Sequence, residues 1–192
     1  MLLAFHKPFD VLSQFTQELP THRTLAEFRF PPQVYPIGRL DRDSEGLILL
    51  SDEARWTDLL LHPRHGHPRT YHAQVEGLIS DAALAKLRSG IALKDYRALP
   101  CQAQRLEPPP EHAPRIPPVR YRASIPTSWL ALTLTEGKNR QVRKMTAAAG
   151  FPTLRLIRVC IGRLALSELQ LAPGEWRQLT VEEAALVSSS RR

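Results

Sequence analysis

Gly38-Arg39-Leu40-Asp41-Arg42-Asp43-Ser44-Glu45-Gly46 sets three carboxylates among two arginines immediately before the apolar run Leu47-Ile48-Leu49-Leu50. Taking a carboxylate out of water is costly unless a partner holds it. An acidic cluster that runs straight into a buried strand therefore points to a charge kept for use, and Asp41 is the first residue to explain. Two chemistries compete for it. Asp41, Asp43 and Glu45 alternate, so on a strand they would share one face and could hold Mg²⁺. Alternatively, one carboxylate works by itself as nucleophile or base. Arg39 and Arg42 weigh against the metal, because cations interleaved with the ligands compete with the ion.

The second constellation is basic. Lysine plus arginine exceeds aspartate plus glutamate by 26 − 19, a net charge of +7. Lys138, Arg140, Arg143, Lys144, Arg155, Arg158 and Arg163 fall in one stretch without an acidic residue. A solvated helix face normally mixes signs, so this stretch is read as a polyanion contact. Arginine favours planar, bidentate phosphate recognition. A membrane surface would call for a broad apolar helix face, so nucleic acid is the expected partner.

The chain has 192 residues, 43% of them hydrophobic, enough for a well-buried globular domain. No apolar run approaches the roughly 20 residues that span a bilayer, and Met1 to Phe5 is too short for a signal segment. A cytoplasmic location without membrane association is expected, with Cys101 and Cys160 as reduced thiols. His62, His65 and His67 lie among prolines and a glycine with no cysteine near, and are read as a basic contact loop rather than a zinc site.

The elements that must position these groups follow from pattern. Met1–Phe5, Val11–Leu12, Val34–Ile37 and the buried run Gly46–Leu50 read as extended. Thr24 and Glu27 form a capping box for a short helix. Ser51 is expected to cap a helix whose apolar side is Trp56, Leu59 and Leu60. Thr70–Glu76 alternates, with Tyr71, Ala73 and Val75 on one face. Ser80 caps a helix with the stripe Ala83, Leu84 and Leu87. Cys101–Leu106, Trp129–Thr135 and Leu154–Ile161 are further strands, separated by a proline-rich spacer from Pro108 to Pro118. Asn139 is expected to cap a helix that buries Val142, Met145 and Ala149 and displays Arg140, Arg143 and Lys144 together. Short strands with interspersed helices and no βαβ alternation give an α+β fold with a mostly antiparallel sheet.

Three function classes remain open on these residues: a Mg-dependent nuclease, a non-catalytic RNA-binding protein, and a cofactor-free enzyme using one carboxylate on a nucleotide. Five segments favour the third. Lys7-Pro8-Phe9-Asp10-Val11-Leu12, Gly38 to Leu47, Arg69-Thr70-Tyr71 with Val75-Glu76-Gly77, Glu136 to Met145, and Leu154 to Gly162 resemble, in order, the signatures of the RsuA-type RNA pseudouridine synthases. The resemblance spans Phe5 to about Leu171. It implies the pseudouridine synthase fold, a mostly antiparallel mixed sheet with flanking helices around a central catalytic cleft. It also implies an isomerase without metal, nucleotide or redox cofactor, acting on a uridine of large-subunit (23S) ribosomal RNA, expected as a monomer.

By the same resemblance Asp41 matches the catalytic aspartate, Arg143 the cation that keeps it ionised, and Tyr71 the tyrosine that stacks on the uracil. Leu156 matches a residue packing against the base, with a plain core role still open. Arg39 matches the arginine that fills the gap left by the extruded nucleotide. Lys138, Arg140, Lys144, Arg155 and Arg158 are expected on the RNA backbone, which positions without reading sequence. Asp43 and Glu45 are expected to be structural, pairing with Arg42 or capping turns. Residues 1–187 are expected to form a single catalytic domain of two lobes, without a separate N-terminal RNA-binding domain, and residues 188–192 a flexible tail.

Overall fold

The computed structural model describes residues 1–119 and 124–188. In chain order the strands are β1 (Leu2–Lys7), β2 (Val11–Leu12), β3 (Arg23–Thr24), β4 (Tyr35–Pro36), β5 (Glu45–Ser51), β6 (Arg69–Glu76), β7 (Gln102–Arg105), β8 (Thr127–Leu134), β9 (Thr153–Ile161), β10 (Leu164–Ala165) and β11 (Trp176–Gln178). The helices are α1 (Arg55–Leu61), α2 (Asp81–Arg88), α3 (Gln141–Ala148), α4 (Leu166–Leu169) and α5 (Val181–Ser188). The tail expected at 188–192 lies outside the described residues except for Ser188, which closes α5. No helix among the described residues is long and apolar enough to cross a membrane. The chain divides into two units, Met1–His67 with Arg158–Arg192, and Pro68–Ile157, so β9 contributes a half to each.

In the first unit β1 lies between β11 and β5, antiparallel to both, with Lys7 opposite Gly46. Every residue of β5 is buried, which explains why its sequence carries no period: a strand covered on both faces needs apolar groups on both. Leu2, Ala4, Leu47 and Leu49 join Leu164, Leu169 and Val187 in one core. On the other face Phe5 meets Phe28 at 4.7 Å and Phe30 at 5.1 Å between ring centroids. The capping box forms as expected on a 3-10 turn, with Glu27 accepting from the Thr24 amide and Thr24 from that of Ala26.

Two expectations in this unit are corrected. Helix α1 starts after Ala54 without a side-chain cap, because the Ser51 hydroxyl donates to the Met1 carbonyl at 2.6 Å and accepts the Glu53 amide. The histidine loop is not wholly a contact surface. His67 is buried, its Nε2 lying 2.5 Å from the Val187 carbonyl, while the rings of His62 and His65 pack against each other at 5.9 Å.

In the second unit β6 pairs antiparallel with β8 over eight positions, from Arg69 opposite Leu134 to Glu76 opposite Thr127, and β8 pairs with β7. Ala73, Val75, Leu130, Leu132 and Leu156 form a core with Leu84 and Leu87 of α2 and Val142 and Met145 of α3. Ser80 caps α2 by accepting the Ala83 amide at 3.2 Å. The opposite face of the sheet is polar, with Thr70 and Thr133 hydroxyls 2.8 Å apart. Over that face lies part of the proline-rich segment, which therefore packs on the sheet instead of only spacing it. His112 meets His72 at 3.1 Å and packs against the Trp129 ring. Burial lowers the His72 proton affinity below the usual histidine value.

Candidate active site

Asp41 sits at the start of a turn, where its carbonyl accepts the Ser44 amide at 3.0 Å. The residues on both sides of it are tied down. Leu40 is buried, and its amide and carbonyl both bond to the Ser13 hydroxyl, at 3.0 and 2.7 Å. The Arg42 carbonyl accepts the Asp10 amide at 2.9 Å, while the Arg42 guanidinium grips Asp10 Oδ1 at 2.6 Å. A bonding pattern of this kind holds a backbone in one conformation while its middle residue stays half-open. Asp10 accommodates the double contact with a left-handed backbone, φ 66°. Behind the turn, the Lys7 ammonium is wholly buried and donates to the carbonyls of Val11 at 2.7 Å and Pro8 at 3.0 Å.

The ties on either side of Asp41 come from Ser13 and Asp10, to which the sequence assigned no chemistry. Asp10 makes a 2.6 Å ion pair with Arg42. Ser13 and Lys7 gave no chemical signal in the sequence, since a serine and a lysine near a strand end are ordinary. Replacing Ser13 by alanine removes both ties to Leu40 and is expected to cost about 1–2 kcal/mol of stability. Urea unfolding measures this, and a loss below about 0.5 kcal/mol, the level of an ordinary surface change, contradicts the tie.

The shared-face arrangement imagined for a Mg²⁺ site does not form. Asp41 and Asp43 lie on the turn, whereas Glu45 is buried as the first residue of β5. Among the described residues no group of three His, Cys, Asp or Glu side chains is placed to hold a metal ion.

In the second unit Tyr71 is half-buried against the core that contains Leu156, Val142 and Met145. Helix α3 is docked on the start of β9 by Thr146, whose hydroxyl lies 2.7 Å from that of Thr153. Arg143, half-buried, donates from Nη1 towards the Thr153 carbonyl at 3.5 Å. The turn before α3 differs from expectation. Asn139 is not the cap, because Arg140 takes that place with a left-handed backbone, φ 51°, and no side-chain cap bond. The side chain of Gln141 instead accepts the Lys138 amide at 3.0 Å and donates to Glu136, which accepts the Leu99 amide at 2.7 Å. Lys138, Arg140 and Lys144 stand exposed around this knot.

The basic stretch is not one surface. Arg155 is 8% exposed, and its Nη2 donates to the Ala113 carbonyl at 2.8 Å. Strand alternation sends it to the face opposite Leu156, which is 4% exposed in the core. Arg158 is 5% exposed, with Nε donating to the Leu47 carbonyl at 2.7 Å. Both arginines expected on the RNA backbone are thus engaged within the protein. Arg39 is exposed beside the Asp41 turn.

Comparison with known proteins bears directly on this site. The family model described as RNA pseudouridylate synthase matches residues 1–148, which include the Asp41 turn, Tyr71 and α3. The chain belongs to the RNA pseudouridylate synthase family. As a member it is an isomerase of a class that needs no cofactor, and it binds RNA. The ribosomal large subunit pseudouridine synthase E of Xanthomonas campestris pv. campestris is 50% identical over 192 residues, covering both chains completely. The protein of the same name from Vibrio vulnificus is 48% identical over 180 residues, 94% of this chain and 75% of that one. Among solved structures, a pseudouridylate synthase crystal structure superposes with a TM-score of 0.79 at 26% identity, covering 97% of this chain and 73% of that one. Human RNA pseudouridylate synthase domain containing 1 shares the fold, with a TM-score of 0.54 at 15% identity over 83% of this chain and 74% of that one. The mostly antiparallel α+β architecture expected from sequence is the architecture of this family.

Proposed function

We propose that this enzyme converts a uridine of large-subunit (23S) ribosomal RNA to pseudouridine, with Asp41 as its catalytic carboxylate. The observation that carries the substrate is the 50% identity, over the full length of both chains, to a relative named for the large ribosomal subunit. The observation that supports Asp41 is its turn, pinned on either side at Leu40 and Arg42. The reaction breaks the glycosidic bond to N1, lets the uracil turn over, and rejoins the sugar through C5, where a proton is released. A carboxylate for this work must stay ionised while enclosed, and a guanidinium favours the charged form.

From the motif match we assign that guanidinium to Arg143. Tyr71 would stack on the uracil, and its hydroxyl would assist removal of the C5 proton. Leu156 would contribute apolar packing against the base from within the core. Arg39 would occupy the space vacated by the extruded nucleotide. RNA backbone contact is assigned to the exposed Lys138, Arg140 and Lys144, and Arg155 and Arg158 are given structural roles. The enzyme is proposed to work as a cytoplasmic monomer, which light scattering of the purified protein tests.

The reading is tested by tritium release from ribosomal RNA labelled at uracil C5, with EDTA present. Release by the purified protein alone is expected. Strict Mg²⁺ dependence with strand cleavage would support a nuclease instead, and RNA bound but unmodified would support a passive binder. The reduced set of backbone contacts has its own consequence. With three lysine or arginine contacts to single-stranded phosphates, log K falls against log salt with a slope near roughly −2 rather than the −3.5 that about five contacts would give. A slope at the steeper value would return Arg155 and Arg158 to the interface.

A further inference from the structure

Thr146 occupies a position whose surroundings call for an apolar side chain. It follows Met145 on the buried side of α3 and, like Met145, has no exposed surface. A buried hydroxyl costs free energy unless it is bonded, and valine would fill the same space with no hydroxyl to satisfy. The Thr146 hydroxyl is fully used. It donates to the Arg143 carbonyl at 3.2 Å, one turn back along α3, and lies 2.7 Å from the Thr153 hydroxyl at the start of β9. A threonine hydroxyl carries one proton. With that of Thr146 on the Arg143 carbonyl, Thr153 is the donor within the pair.

From Thr153 the path returns to Arg143, because the Thr153 carbonyl faces Arg143 Nη1 at 3.5 Å. Arg143 is thus held twice. Thr146 bonds its backbone carbonyl, the Thr153 carbonyl takes its guanidinium, and the hydroxyl pair joins the two ends. The linker from α3 to β9 is pinned as well, with the Phe151 amide on the Thr146 carbonyl at 2.9 Å and the Glu76 amide of β6 on the Pro152 carbonyl at 3.0 Å. A slip of β9 along α3 is therefore passed directly to the guanidinium.

We propose that the Thr146–Thr153 hydroxyl pair positions Arg143 for the isomerisation, fixing where its guanidinium stands between α3 and β9. The proposal rests on the assignment of Arg143 as the cation that keeps the catalytic carboxylate ionised. Both threonines act through Arg143. Their effect is geometric, since a displacement of about 1 Å in a reacting constellation can cost on the order of 100-fold in rate.

The test sets loss of the hydroxyl against loss of the methyl. Thr153→Val keeps the volume and the strand preference and removes the donor, whereas Thr153→Ser keeps the donor and removes the methyl. Tritium release gives kcat and KM for each full-length variant, with urea unfolding in parallel. Thr153→Val should lower kcat about tenfold with KM changed less than about threefold, while Thr153→Ser stays within about twofold of the wild type. A packing role reverses that order, and Thr153→Ser slower than Thr153→Val overturns the proposal, as does an unchanged kcat in Thr153→Val. Thr146→Val should lose at least as much, and adding Thr153→Val to it should slow it no further, because one contact can be lost only once. Independent, multiplying losses overturn the proposal. Should Thr146→Val not fold, the two Thr153 variants decide alone. Arg143→Met separates the positioning from the assignment beneath it. Full activity in Arg143→Met removes Arg143 from the reaction and the proposal with it, whereas an inactive Arg143→Met beside a fully active Thr153→Val overturns the positioning and leaves the assignment standing.

Discussion

Asp41→Asn should abolish pseudouridine formation, lowering kcat by roughly 10⁴-fold or more, while RNA affinity stays within about threefold. The substitution keeps the size and polarity of the side chain and removes its charge and basicity. The turn is held through the backbone of Leu40 and Arg42 and by the Ser13 hydroxyl and Asp10 carboxylate, none of which depends on the Asp41 carboxylate, so the fold should persist. Filter binding on the ribosomal RNA substrate, together with tritium release, separates the two effects. A variant that loses binding and turnover alike would place Asp41 in substrate binding or folding, and a variant with a tenth of wild-type activity would make it auxiliary.

Gly46→Ala should destabilise the protein by about 3 kcal/mol or more. Gly46 has φ +104°, a region that L side chains rarely adopt, and a Cβ there would lie 2.3 Å from the Arg158 carbonyl oxygen and 2.7 Å from its nitrogen. The colliding atoms are backbone, so no side chain can swing aside. Relief would require β5 and the adjoining part of β9 to part, and β5 also carries the pairing of Gly46 with Lys7. The change therefore strikes the strand that follows the Asp41 turn. Urea unfolding with a parallel measurement of kcat should show both falling. A loss under about 1 kcal/mol, the size expected for a typical substitution, would mean that the approach of the two strands is looser than described.

The parts of this molecule that were legible in sequence are those governed by local rules. The Thr24–Glu27 capping box formed because its partners lie three residues apart. The alternation of Tyr71, Ala73 and Val75, and of Leu130, Leu132 and Leu134, gave the buried face of β6 and β8 directly. The acidic turn could be noticed because three carboxylates stand directly before an apolar run. What failed depended on partners far along the chain. Arg155 and Arg158 read as phosphate contacts by charge, but Ala113 and Leu47 supply carbonyls that bring them inside. Ser51 has the chemistry of a cap, yet Met1 claims its hydroxyl. Asn139 was displaced by the left-handed backbone of Arg140 and the side chain of Gln141. Lys7 is the largest of these omissions, because nothing in the residues next to it in sequence announces its carbonyl acceptors.

The division between what positions and what reacts follows from the same contacts. Lys7, Asp10 and Ser13 act on the backbone around Asp41, and the exposed Lys138, Arg140 and Lys144 lie on a turn braced by Gln141 and Glu136. Family membership accounts for chemistry without a cofactor, since isomerisation returns every atom to the product except an exchanged proton.

The most direct test of the central claim is site mapping on the proposed substrate. Protein-free 23S ribosomal RNA transcribed without modification is incubated with the purified enzyme in EDTA, and pseudouridine is located by chemical probing and confirmed by nucleoside mass spectrometry. Pseudouridine is expected at a defined uridine with wild-type protein and at none with Asp41→Asn. Full modification by Asp41→Asn, or RNA left unmodified by a wild-type protein that binds it, would contradict it.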